Sequence, residues 1–180
     1  DSDGDQDLFW GDIYQPSLFF LENIGTSTKP IILDTLMTFQ YPLIDPIQTA
    51  GFNVARFADL DHDGDSELFA TVQSGIFGTE MIDNFLYFKN IGSAKVPKFQ
   101  HKTNRFLGGL DLGSASAPVF VDIDSDGDED LFVGNEFNER LPGLRGTIFF
   151  FRNTGGSDST LFILEDSTFF PELTGNNLVP

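Results

Sequence analysis

The chain has 180 residues, 28 of them acidic and 10 basic, for a net charge of −18 at pH 7. That balance argues against nucleic acid as a partner, and the length suits one domain or part of a larger one. Cysteine is absent, so no disulfide framework exists, and no apolar run approaches the ~20 residues of a membrane-spanning helix.

Taken from its start, the chain opens on Asp1-Ser2-Asp3-Gly4-Asp5-Gln6-Asp7-Leu8-Phe9. An apolar stretch, Leu18-Phe19-Phe20-Leu21, then runs into Asn23-Ile24-Gly25, and Phe39-Gln40 comes later. The same order returns in Phe57 to Phe69, which sets Asp59, Asp61, Asp63, Asp65 and Glu67 around Gly64. Phe85 to Lys89 then leads into Asn90-Ile91-Gly92, and Phe99-Gln100 ends that unit. A third copy begins 63 residues on, at Phe120, with Asp122, Asp124, Asp126, Asp128 and Asp130 around Gly127. It continues through Ile148 to Arg152 into Asn153-Thr154-Gly155, and loosely to Phe169-Phe170. The chain is an internal repeat.

The acidic loops hold fifteen of the 28 acids, so the charge is concentrated rather than spread along a tail. Carboxylates this dense repel one another unless a cation sits among them. A hard divalent ion with 6–8 oxygen ligands, calcium above all, is the natural counter-charge. The loop is not an EF-hand: counting Asp122 as position 1, the twelfth residue is Val133, where a bidentate Glu is required. Its flanks, Val119-Phe120-Val121 and Leu131-Phe132-Val133, read as short buried strands rather than helices.

Each unit reads as four short strands. In the second they fall at Asn53–Asp59, Glu67–Val72, Phe85–Lys89 and Lys98–His101. Asn-x-Gly after the third strand suggests a tight turn needing positive φ. The fold class expected is all-β: part of a β-propeller, about three four-stranded blades with metal loops between first and second strands. The blades divide at 1–52, 53–115 and 116–180. Position 1 of the first loop would precede Asp1, so the chain reads as a piece of a larger ring. The clustered phenylalanines, 21 in all, are the expected core between blades.

Phe-x-Asp-x-Asp-x-Asp-Gly-x-x-(Asp/Glu)-Leu, followed by an aromatic strand and Asn-x-Gly, resembles the FG-GAP/VCBS-type repeat. That repeat builds the calcium-carrying propellers of integrin α-subunits and of secreted bacterial proteins, and the segments here are similar to the bacterial variety. The resemblance covers essentially the whole chain. It implies calcium held by side chains at positions 1, 3, 5 and 9 and by the backbone oxygen of position 7. Carried over, these are Asp59, Asp61, Asp63, Asp65 (backbone) and Glu67, then Asp122, Asp124, Asp126, Asp128 (backbone) and Asp130. In the first loop Asp1, Asp3, Asp5 and Asp7 take positions 3, 5, 7 and 9. Glu67 departs from Asp at position 9, and its extra methylene changes the reach.

Other residues carry weaker signals. His62, at position 4, and His101 read as surface histidines, and neither has a nucleophile to make a triad. Trp10 and Tyr14 offer a sugar-stacking platform, against the plainer reading of packing. The second and third units have seven more residues than the first between loop position 9 and the Asn of Asn-x-Gly. These enlarged connections carry Phe77, Phe137, Arg140, Leu144 and Arg145, a partner face opposite the metal loops. A protein or glycan is the expected partner there, beside the remaining blades of the same chain. The function implied is a calcium-binding module, extracellular or on the cell surface, for adhesion, recognition or scaffolding. The alternatives are the propeller of a secreted polysaccharide-active enzyme and a purely structural spacer. No general acid/base pair stands at readable spacing, so catalysis is not the reading adopted.

Overall fold

Short aromatic and β-branched runs separated by Asp, Asn and Gly clusters favour short strands joined by turns. A computed structural model describes residues 3–72, 83–110, 112, 115–137, 145–156 and 160–167, with backbone alone for Phe137 and Arg145. The described residues are all-β, in three antiparallel sheets of three or four strands, each a meander of sequence neighbours. The first holds β1 (Leu8–Gly11), β2 (Leu18–Leu21) and β3 (Thr38–Tyr41). The second holds β4 (Asn53–Ala58), β5 (Glu67–Val72), β6 (Phe85–Asn90) and β7 (Phe99–Thr103). The third holds β8 (Ala117–Val121), β9 (Asp130–Phe137), β10 (Arg145–Asn153) and β11 (Phe162–Asp166). The strands expected in the second unit match β4–β7 to within one or two residues.

β1 packs against β4, and β4 against β8, so the sheets follow one another in series. This explains why β5 is buried along its whole length instead of alternating. Leu68 and Ala70 enter the core shared with the first sheet, beside Leu18, Ile47 and Phe88. Phe69 enters the core shared with the third, beside Leu131, Val133 and Phe149. Pro118 lies in β8, which among the described residues pairs only with β9 and so is an edge strand, where a missing N–H is tolerated. Its free carbonyl accepts the Arg56 Nε–H at 2.9 Å and ties the second and third sheets together.

Phenylalanine repeats as a packing unit at both boundaries. Phe9, Phe20, Tyr41, Phe57 and Phe99 form a ring cluster between the first two sheets, with neighbouring centroids 4.9–6.0 Å apart. Phe69, Tyr87, Phe106, Phe120 and Phe162 form its counterpart between the second and third. Tyr41 and Phe106 come from different places in the repeat yet fill the same gap among the rings.

The Asn-x-Gly turns differ from expectation. Gly25 and Gly92 do not take positive φ; they are glycines because nothing larger fits. A Cβ on Gly92 would lie 2.3 Å from the Val96 carbonyl oxygen, and one on Gly25 would lie 2.3 Å from that of Lys29. The asparagine does the organising. Asn90 Oδ1 accepts both the Gly92 and the Lys98 N–H at 3.0 Å, and Asn23 and Asn153 repeat the pattern.

Of the expected partner face, Phe77, Arg140 and Leu144 lie outside the described residues. Phe137 and Arg145 are paired opposite one another in the β9–β10 register.

Candidate metal centres

The second and third acidic loops join β4 to β5 and β8 to β9, the first leads into β1, and all three share one turn geometry. Gly64 and Gly127, at position 6, have φ of +91° and +98°, and Gly4 has +99°. His62 and Ser125, at position 4, are also left-handed, at +56° and +62°. Only glycine adopts the first of these values readily, which is why position 6 is invariant among the three copies. The turn is sewn by carboxylates. Position 1 accepts the position 6 N–H at 3.1 Å, through Asp59 Oδ2 and Asp122 Oδ2. Position 5 accepts the position 7 N–H, through Asp3, Asp63 and Asp126. Position 9 reaches back to the position 2 N–H, through Glu67 Oε2 at 3.2 Å and Asp130 Oδ2 at 3.3 Å.

Those bonds use one oxygen of several carboxylates and leave the other facing inward. Asp59 Oδ1, Asp61 Oδ1, Asp65 Oδ1, Glu67 Oε1, Asp122 Oδ1 and Asp5 Oδ1 are buried without a hydrogen-bond partner. Glu67 is wholly buried, and burial pushes its carboxyl up to about 7. Burial also raises Asp65 and Asp5, helped by the neighbouring Asp63 and Asp3 respectively. Asp59, Asp61 and Glu67 bring ligand atoms within 4.8 Å of one another, as do Asp122, Asp124 and Asp126. At that separation and an effective dielectric of about 20, two like charges repel by roughly 3.5 kcal/mol. Buried anionic oxygens left unmet are costly enough that native proteins rarely keep them without an ion, water or proton.

The expected ligands are therefore gathered in part. Asp59, Asp61 and Glu67 converge in one loop and Asp122, Asp124 and Asp126 in the next, whereas Asp63 and Asp130 stand outside those two groups. Asp65, assigned its backbone oxygen, also buries a side-chain oxygen in the loop. Asp1 lies outside the described residues. Glu67 differs from its counterparts as its length suggests. Asp7 Oδ1 and Asp130 Oδ1 accept the N–H of Asn23 and Asn153 at 2.9 and 2.8 Å, whereas Glu67 Oε1 accepts nothing.

Three ion pairs are not visible in the sequence pattern of any one unit. Lys89 pairs with Asp61, and Arg152 pairs with Asp124 and, at 2.6 Å, with Glu165. Lys89 and Arg152 stand 63 residues apart, like the position 3 acids they bind, and that shared column was the available signal. The Lys89 ammonium holds Asp61 below the usual carboxylate range. His62 is exposed, as expected, yet engaged: its Nε2 lies 2.8 Å from the Gly127 carbonyl oxygen and 3.7 Å from Asp128 Oδ1. The left-handed backbone at position 4 throws the ring across to the neighbouring loop. His101 packs edge-on against Phe88 and bonds Asn104 Oδ1 at 2.6 Å. Trp10 and Tyr14 are both exposed, Trp10 resting edge-on against Phe19.

Comparison with protein-family models, with curated proteins and with solved structures finds no match to this chain.

Proposed function

We propose that the chain forms successive blades of a calcium-stabilised β-propeller of the FG-GAP/VCBS kind, serving outside the cell in adhesion, recognition or scaffolding. The observation that carries this reading is the set of buried carboxylate oxygens without partners, turned inward in loops of one conformation. The donor set is all oxygen, which suits calcium better than zinc or copper. Asp59, Asp61, Asp63 and Glu67, with the Asp65 backbone, would hold one ion. Asp122, Asp124, Asp126 and Asp130, with the Asp128 backbone, would hold a second. A bound ion supplies positive charge that cancels the repulsion inside each loop and fixes the start of β5 or β9. Lys89 and Arg152 each neutralise one carboxylate of a loop, which leaves the remaining charge for the ion. The packing of β4 against β8 supports the propeller arrangement, since each is the first strand of its unit and such strands adjoin around a common axis in a propeller. The extracellular role rests on the resemblance and on the millimolar calcium found there, which matches modules that bind at roughly 10⁻⁴–10⁻³ M.

Isothermal titration with Ca²⁺ tests the metal, alongside thermal melts in calcium and in chelator. Two binding events and a higher melting temperature in calcium are expected. No heat and coincident melts at millimolar calcium would overturn the reading.

A further inference from the structure

The ring cluster between the first two sheets is open on one side, and a cleft of about 450 Å³ lies over it. Its floor is aromatic: Phe9, Phe20, Tyr41, Phe57 and Phe99, with Phe57 38% exposed. Its wall is the β6–β7 turn, Ala94 to Pro97. Two carboxylates, Asp7 and Glu22, and one ammonium, Lys95, also line it. The volume falls in the range of small-molecule sites, and an apolar floor with few polar groups is their usual make-up.

The charges set this boundary apart from the next one. Glu22 occupies the column held by Lys89 and Arg152 in the other units. Those cations are engaged with their own loops, whereas Glu22 is exposed and makes no ion pair or hydrogen bond among the described residues. The repeat has thus put an acid over the ring cluster where its sister units carry a base. Lys95 is exposed and likewise unengaged among the described residues. Two acids against one base, on a chain of net charge −18, favour a positive ligand, and ring faces attract cations directly.

We infer that this cleft binds a small organic cation with an apolar body, an alkyl- or arylammonium compound. The rings take the apolar body and the cation's diffuse charge, Glu22 supplies the counter-charge, and Lys95 works against binding. The inference goes beyond the metal reading and does not depend on it.

The probe is benzyltrimethylammonium, titrated into the ¹⁵N-labelled chain in saturating calcium, with benzyl alcohol and benzoate as neutral and anionic controls. Shifts should map to Phe57, Tyr41 and Lys95, and affinity should fall from cation to alcohol to benzoate. Glu22→Gln should weaken the cation roughly three- to tenfold, and Lys95→Ala should tighten it by about two- to threefold. Both residues are exposed, so neither change threatens the fold. Equal binding of all three probes, preference for benzoate, or a cation affinity that neither substitution moves would overturn the proposal. So would shifts confined to the acidic loops. A calcium-dependent melting shift that persists alongside such a failure would leave the metal reading standing, and the two outcomes are read separately.

Discussion

His62 Nε2 lies 2.8 Å from the backbone oxygen of Gly127, so the second acidic loop is bonded to the third across a sheet boundary. Glu129 leans the other way. Its Oε2 is buried without a partner, and burial followed by the charge of Asp59 raises its carboxyl. The two loops thus share an electrostatic boundary and are coupled mechanically. His62→Ala should leave the fold intact and lower the unfolding free energy by about 1 kcal/mol, the usual worth of one hydrogen bond. Its more telling effect is remote: amide exchange at Gly127 and Asp128 should quicken although the substitution is in another loop. Unchanged exchange there would show that the bond does not restrain the third loop.

Asp126 tests what the third loop does for stability. Asp126→Ala removes a candidate ligand together with the bond it accepts from the Asp128 N–H. The melting shift between calcium and chelator should shrink toward the contribution of the second loop alone. Asp126→Asn keeps that acceptor and removes the charge, so it separates the two losses. If wild type and both variants shift equally with calcium, the loop is not a structural metal site.

The all-β class and the antiparallel sheets were legible because each physical signal occurs three times. One acidic loop is weak grounds for a metal; three at a nearly regular spacing, each leading into a strand, made the sheet order and the second unit's strands readable from residues alone. What stayed hidden was relational. Nothing local marks His62 as a bridge, because its partner is a carbonyl 65 positions away. Tyr41 and Phe106 fill equivalent gaps from unmatched places in the repeat, which no alignment of the units would reveal. The Asn-x-Gly turns misled for a physical reason: a glycine next to a turn asparagine suggests a left-handed backbone, and here the glycine answers to crowding.

Glu67 gives the metal-free protein a pH dependence whose sign is fixed. Its folded value, about 7, lies above its ordinary 4.5 because burial penalises the charged form. A carboxyl raised in this way stabilises the fold below about 4.5, and that contribution is lost as pH rises through 7. The difference amounts to roughly 3 kcal/mol. In chelator, the melting temperature should therefore fall between about pH 4.5 and 7, and Glu67→Gln should flatten that fall. Calcium should flatten it too, because the ion favours the charged carboxylate. A chelated protein that gains stability across this window would contradict the burial of Glu67 in an ion-free loop.

Gly64 and Gly92 separate two reasons for being glycine. Gly64 has φ of +91° and open space where a Cβ would point, so Gly64→Ala suffers backbone strain alone, about 1–2 kcal/mol. Gly92 has no such φ, but a Cβ there would sit 2.3 Å from Val96 O and 2.8 Å from Lys98 N. Those are backbone atoms of the same turn and cannot step aside without breaking the bonds Lys98 makes to Asn90 and Ile91. Gly92→Ala should therefore lose roughly 1–3 kcal/mol or more through overpacking. Asparagine discriminates between the two, because it tolerates left-handed backbone but is larger than alanine. Gly64→Asn should recover part of the stability that Gly64→Ala loses, while Gly92→Asn should be no better than Gly92→Ala. Urea midpoints of the four variants decide it, and rescue of Gly92 by asparagine would mean that its turn is left-handed after all.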